Sequence, residues 1–172
     1  MVSKADFTPE EWQKLLESVM LAGMSVTAAD PSGLWGLIKE AAASARSIAE
    51  AKSDKTANPL VHAIAADLET SEGRTLARDG LTASLKGSSA KDIKTKSIDA
   101  LREIGGILEA KAPADAPAVK AWLQGVAQRA AEAAKEGGFL GFGGVQVSDA
   151  EKAALDEVSG ALGLKEGYAH VS

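Results

Sequence analysis

Apolar side chains recur every three or four residues along most of this chain, which is the spacing of one face of an α-helix. The first run covers about 9–28 and the second about 32–53. A third run begins at Pro59, is interrupted near Ser71 and ends at Gly87, so it predicts either one broken helix or two. The positions that define these runs include Trp12, Leu15, Leu16, Val19, Leu34, Leu37, Ile38, Leu60, Ile64, Leu68, Leu76 and Leu81.

Three more runs follow along the chain. One starts after a serine cap at Ser88 or Ser89, and the next covers about 116–135. The last opens at Ser148, which forms a capping-box pattern with Glu151. No stretch of useful length alternates apolar and polar residues as a half-exposed strand does.

The pattern therefore predicts an all-α protein, a compact bundle of six to seven helices in a single domain spanning 1–172. The tail, 165–172, is expected to be frayed. A cap residue followed by proline suits the first turn of a helix, and this pair occurs at Thr8-Pro9, Asp30-Pro31 and Asn58-Pro59.

Two features within the predicted helices indicate how they pack. The stretch 18–29 has no charged residue but is shorter than the ~20 apolar residues that cross a bilayer. We therefore expect a buried central helix and no stable membrane insertion. Gly105 and Gly106 lie inside a predicted helix, where each glycine costs about 1 kcal/mol relative to alanine. They predict close contact with a neighbouring helix.

Composition supports helices and excludes several functions. Alanine is frequent and aromatic residues make up 4% of the chain, which favours closely packed helices over sheets. The formal net charge of −5 argues against nucleic-acid binding. The lack of cysteine excludes disulfides, thiolate metal ligands and a cysteine nucleophile. The N-terminus has no signal-peptide pattern, so we expect a cytoplasmic protein.

The segment 136–148 carries Phe139, Leu140 and Phe142 among five glycines. It lacks both the P-loop pattern and the dinucleotide-binding fingerprint. Acidic residues flank it, which disfavours insertion into an anionic membrane. We expect the three apolar side chains either to fold back into the bundle as a core plug, with glycines making the turns, or to form a partner-binding patch.

The segment 126–164, VAQRAAEAAKEGGFLGFGGVQVSDAEKAALDEVSGALGL, resembles the tellurite-resistance TerB-like helical family. The resemblance rests on an alanine-rich helix, an acidic turn at Glu136 and Gly137, a capped helix start over 147–151 and a leucine-glycine-leucine end over 162–164. The N-terminal half matches the same helix–turn–helix pattern less closely, over VMLAGMSVTAAD and LWGLIKEAAASA. The resemblance implies two pseudo-duplicated halves.

The same resemblance implies a function. Acidic residues at those turns are the family's suspected metal contacts, so Glu136 and Glu151, with Asp30 in the first half, are the candidate ligands of a weakly bound divalent metal. The role that it implies is that of a non-enzymatic, stress-associated scaffold or protein-binding module.

Two other function classes stay open. A small-molecule carrier would use an apolar pocket among Trp12, Trp35 and Trp122. An enzyme would have to rely on two close carboxyl groups, because neither His62 nor His170 belongs to a catalytic or metal-binding motif and no nucleophile elbow is present. The sequence identifies neither a partner nor an oligomeric state.

Overall fold

The computed structural model describes residues 2–28, 34–54, 56–135 and 149–164, without the side chains of 34–43, 90 and 134–135. Within these ranges, a short 3-10 turn, Lys4–Asp6, precedes seven α-helices. The helices are α1 (Pro9–Thr27), α2 (Leu34–Ser53), α3 (Pro59–Leu68), α4 (Ser71–Leu85), α5 (Ala90–Lys111), α6 (Ala116–Lys135) and α7 (Asp149–Ala161). The prediction of a compact all-α bundle is confirmed.

Three of the described helix starts, those of α1, α3 and α5, follow the predicted caps. Thr8 and Glu11 form a reciprocal capping box at the start of α1, with N–O distances of 2.8 and 3.2 Å. Asn58 caps α3, since its Oδ1 accepts a hydrogen bond from the Leu60 N–H at 2.9 Å. Of the two serines considered for α5, Ser89 is the cap. The caps expected at 30–31 and at 148 lie outside the described residues.

The third apolar run is divided into α3 and α4 by a tight corner. The Asp67 carbonyl accepts hydrogen bonds from the N–H of Thr70 at 2.9 Å and from its Oγ1 at 2.7 Å. Gly73, in the first turn of α4, lies so close that a Cβ there would overlap this carbonyl. The break expected near Ser71 is therefore confirmed, and glycine permits the close approach of the two helices.

α1 is the centre of the bundle and packs against each of the other six helices. Every residue from 15 to 19 is buried, which means that α1 is enclosed on all sides over this stretch. The predicted central helix is therefore confirmed. None of the helices that the structure describes combines the length and apolarity needed to cross a membrane.

α5 runs antiparallel to α1 along one side of the bundle. Lys111, at the end of α5, pairs with Glu11 at the start of α1, with Nζ and Oε2 3.4 Å apart. Further along, Lys14 pairs with Glu103 at 2.5 Å. The order of these two ion pairs along the helices shows that α1 and α5 run in opposite directions.

The glycine pair in α5 is only half explained by close contact. A Cβ at Gly105 would lie 3.5 Å from the Ala161 carbonyl oxygen of α7, an ordinary van der Waals distance. Gly106 is exposed, and a Cβ there would have no neighbour within 4 Å. The prediction is confirmed for Gly105 and wrong for Gly106, because successive helical residues point about 100° apart.

Candidate functional site

One of the predicted site residues lies in the part of the chain that the structure describes. Glu151 is in the first turn of α7 and is 5% exposed. The others lie outside the described residues, namely Asp30, Glu136, Phe139, Leu140 and Phe142. The metal set and the apolar loop patch therefore stay predictions.

Within the described ranges, no three histidine, aspartate or glutamate side chains come together as a metal site. His62 is exposed on α3, and His170 lies outside the described residues. Glu151 itself is a buried residue in the first turn of α7.

Trp12 is a core residue whose indole N–H is hydrogen-bonded. Its ring packs against that of Phe7, with centroids 5.8 Å apart, and it is 1% exposed. Its Nε1 donates a hydrogen bond to Asp67 at 2.6 Å, and Lys4 binds the same carboxylate oxygen at 2.9 Å. Trp12 therefore ties α1, α3 and the N-terminal turn together.

The other two tryptophans do not complete a carrier pocket among the described side chains. Trp122 is half-buried on α6, and the described residues give its indole N–H no hydrogen-bond acceptor. The side chain of Trp35 lies outside the described set. The carrier hypothesis stays a prediction.

The buried group with the most unusual surroundings is Glu17, between α1 and α4. It is 6% exposed, and a Cβ at Gly80 of α4 would overlap its Oε1. The same Cβ would overlap the amide nitrogen of Gln13, which donates a hydrogen bond to the Leu76 carbonyl at 3.1 Å. The Glu17 carboxyl group thus occupies the space that a side chain on α4 would take.

Burial shifts the titration of this carboxyl group. Desolvation raises the pKa of Glu17 to about 6 from an ordinary value of 4.5, and the positive charge of Lys14 lowers it in part. The described side chains give the carboxyl group no hydrogen bond. Glu17 therefore changes its charge close to physiological pH, at an interface between two helices.

A second buried charge lies where α5, α6 and α7 meet. The Lys120 side chain is 6% exposed, and its ammonium group pairs with Glu109, which is 66% exposed. Gly163, just after α7, has a φ of +67°, and a Cβ there would lie 3.6 Å from the Lys120 Nζ. This places the cation by the C-terminal end of α7, where it interacts favourably with the helix dipole.

The sequence analysis did not single out Glu17 or Lys120, whereas it did name Glu151, the third charged residue that is buried among those described. A signal for Glu17 existed, because it directly precedes the charge-free stretch 18–29 that predicted the central helix. Extending that burial by one residue would have placed a carboxyl group in the core. No comparable signal marks Lys120, since lysine is almost always exposed.

Comparison with known proteins identifies no relative of this chain. No protein-family model, curated protein or solved structure matches the chain.

Proposed function

We propose that this chain is a non-enzymatic protein that binds a protein partner, and that its binding face is the side of α1 that α4 covers. The observation that carries the proposal is how α4 is held. Its buried residues are Gly73, Ala77 and Gly80, none of which has a long apolar side chain.

The energetic consequence is a weakly attached helix. Burying a leucine or isoleucine side chain contributes about 1.5–3 kcal/mol, whereas glycine and alanine contribute much less. α4 adds Leu76 and Leu81, which are only partly buried. By contrast, α5 buries four long side chains in the core, namely Ile98, Leu101, Ile104 and Leu108. Segments with few buried apolar contacts open at the lowest free energy.

Opening of α4 would uncover a face with a defined chemistry. Gln13 and Glu17 are polar groups on α1 that α4 covers, and they lie beside the buried Leu16. A helix that replaced α4 would need small residues at the spacing of Gly73, Ala77 and Gly80, so that its backbone could approach α1. The partner that this face fits is therefore an amphipathic helix with a small-residue stripe, bound in the helix-in-groove manner.

This role is of the kind that the TerB-like resemblance implies, a stress-associated scaffold or binding module in the cytoplasm. The net charge of −5 favours a protein that does not self-associate before it binds its partner.

The proposal is tested by locking α4 in place. The chain has no cysteine, so Gln13→Cys with Gly80→Cys introduces one defined pair at positions that face each other. The oxidised protein and the reduced, alkylated protein are then used as baits in a native cell lysate.

We expect the unlocked bait to capture a protein that the disulfide-locked bait does not. The single variant Gly80→Cys lies on α4 rather than on the binding face and has no second thiol in the chain, so after the same oxidant treatment it should behave as the unlocked bait. Equal capture by the locked and unlocked forms would rule out the face beneath α4 as the binding site.

A further inference from the structure

We infer that attachment of α4 is controlled by a proton: α4 stays docked on α1 while the Glu17 carboxyl group is neutral and is released more readily when that group ionises. This inference rests on the proposed function, because it states what regulates exposure of the same face.

The geometry makes the contact sensitive to charge. The Glu17 carboxyl group lies against the backbone of α4 at Gly80, with 6% of the residue exposed to solvent. A neutral carboxyl group is tolerated at this position, as the neutral amide of Gln13 is beside it. A carboxylate there loses part of its hydration and gains no hydrogen bond from the described side chains, which disfavours the charged form.

The charged groups around Glu17 do not compensate for that cost. On α1, Lys14 is the charge that acts on it, and the Lys14 ammonium is also held by Glu103 of α5 at 2.5 Å. On α4, the exposed side chains of Arg78 and Asp79 pair with each other. On α3, the carboxylate of Asp67 is engaged by Trp12 and Lys4.

The direction of the effect follows from proton linkage. With α4 docked, the pKa of Glu17 is about 6, and with α4 released it returns to the ordinary 4.5. Docking is therefore strongest below pH 4.5 and weakens as the pH rises through 6. A pKa change of this size alters the docking equilibrium by at most roughly 30-fold.

The biological consequence is that the side of α1 beneath α4 is accessible to a partner near neutral pH and is covered by α4 at acidic pH. Acidification of the protein's surroundings protonates Glu17, docks α4 and hides Gln13 and Glu17 from a partner helix. Partner capture by the wild-type protein, which keeps Gly80, should accordingly decrease as the pH falls from 7.5 to 5.

Hydrogen–deuterium exchange of the intact protein tests the inference. The opening of α4 is measured from the protection factors of its amides between pH 4.5 and 7.5, after correction for the intrinsic exchange rate. In the wild type, we expect opening to increase about tenfold over this range, as the pKa shift requires. In Glu17→Gln, opening should stay at the low-pH level. The exposed residue Glu10 on the same helix supplies the control, Glu10→Gln, which should behave as the wild type.

A second variant tests the geometry independently. Gly80→Ala places a Cβ where the Glu17 carboxyl group lies, so that group must move towards solvent. We expect α4 in this variant to be open to the same extent at every pH. The inference is overturned if wild-type α4 shows the same pH course as Glu17→Gln, if all helices lose protection together with α4, or if Gly80→Ala keeps the wild-type pH dependence.

The outcomes also separate this inference from the proposed function. If capture depends on the disulfide but the opening of α4 does not depend on pH, the proposed binding face is supported and its control by Glu17 protonation is contradicted. If the opening of α4 depends on pH but the locked and unlocked forms capture equally, control by Glu17 protonation is supported and the proposed binding face is contradicted.

Discussion

Glu17 and Lys120 are two of the charged residues that the described part of the bundle buries, and each is accommodated in a different way. Lys120 retains its partner, because Glu109 reaches it from the solvent side. Glu17 has no such partner and instead changes its pKa. Moving an ion out of water costs several kcal/mol, so a buried group must either be paired or become neutral.

The pairing at Lys120 predicts unequal effects of removing its two members. In Glu109→Gln the buried ammonium group loses its counter-ion, and we expect a loss of about 1–3 kcal/mol in the free energy of unfolding. In Lys120→Met the remaining carboxylate is exposed and hydrated, so stability should be unchanged or higher by up to about 1 kcal/mol. Urea denaturation at pH 7 measures both. Equal losses in the two variants would contradict this account of the pair.

At the scale of helices, the boundaries follow from local chemistry and the contacts between helices do not. α1 and α6 begin and end within about one residue of the expected positions, because proline, cap residues and the apolar repeat all act within a turn or two. The close approaches at Gly73 and Gly80 were not expected, since each depends on which helix lies opposite.

Glycine substitutions in two helices separate these cases. In Gly73→Ala the new methyl group meets the Asp67 carbonyl, a backbone atom that cannot move aside, and we expect a loss of about 1–3 kcal/mol. Gly106→Ala is the matched control, because its methyl group meets nothing and the helix gains up to about 1 kcal/mol from the better propensity of alanine. Thermal unfolding followed by circular dichroism should move in opposite directions for the two variants. A stabilised Gly73→Ala would show that the α3–α4 corner is looser than the structure indicates.

At the scale of the whole molecule, two sets of carboxyl groups oppose each other as the pH changes. One set has pKa values below the ordinary range and contributes stability that is lost as the pH falls, namely Asp6, Glu11, Glu50, Asp54, Asp67 and Asp92. In Asp67, burial raises the pKa, but the hydrogen bonds from Lys4 and Trp12 outweigh it. Glu17 acts in the opposite direction, since its raised pKa gives stability that is lost as the pH rises.

The balance predicts an optimum of stability on the acidic side of neutrality. For the wild type, the urea midpoint should be highest between about pH 4.5 and 6, where the low-pKa groups are ionised and Glu17 is still largely protonated. Glu17→Gln should keep its stability up to pH 7.5 and exceed the wild type there by about 1–2 kcal/mol. The two proteins should be equal at pH 4.5. A wild-type midpoint that rises steadily to pH 7.5 would contradict the assignment of Glu17.

The sequence by itself determined the helical class, the bounds of α1, α3 and α6, and the central position of α1. These properties depend on caps, prolines and apolar spacing, which act between residues a few positions apart. The suggested TerB-like relationship, with Asp30, Glu136 and Glu151 as metal ligands, stays a prediction from the same source. Only the tertiary structure decided that Glu17 faces the backbone at Gly80 and that Lys120 lies by the end of α7. The burial of a charge depends on which distant helix covers it, and no local pattern along the chain carries that information.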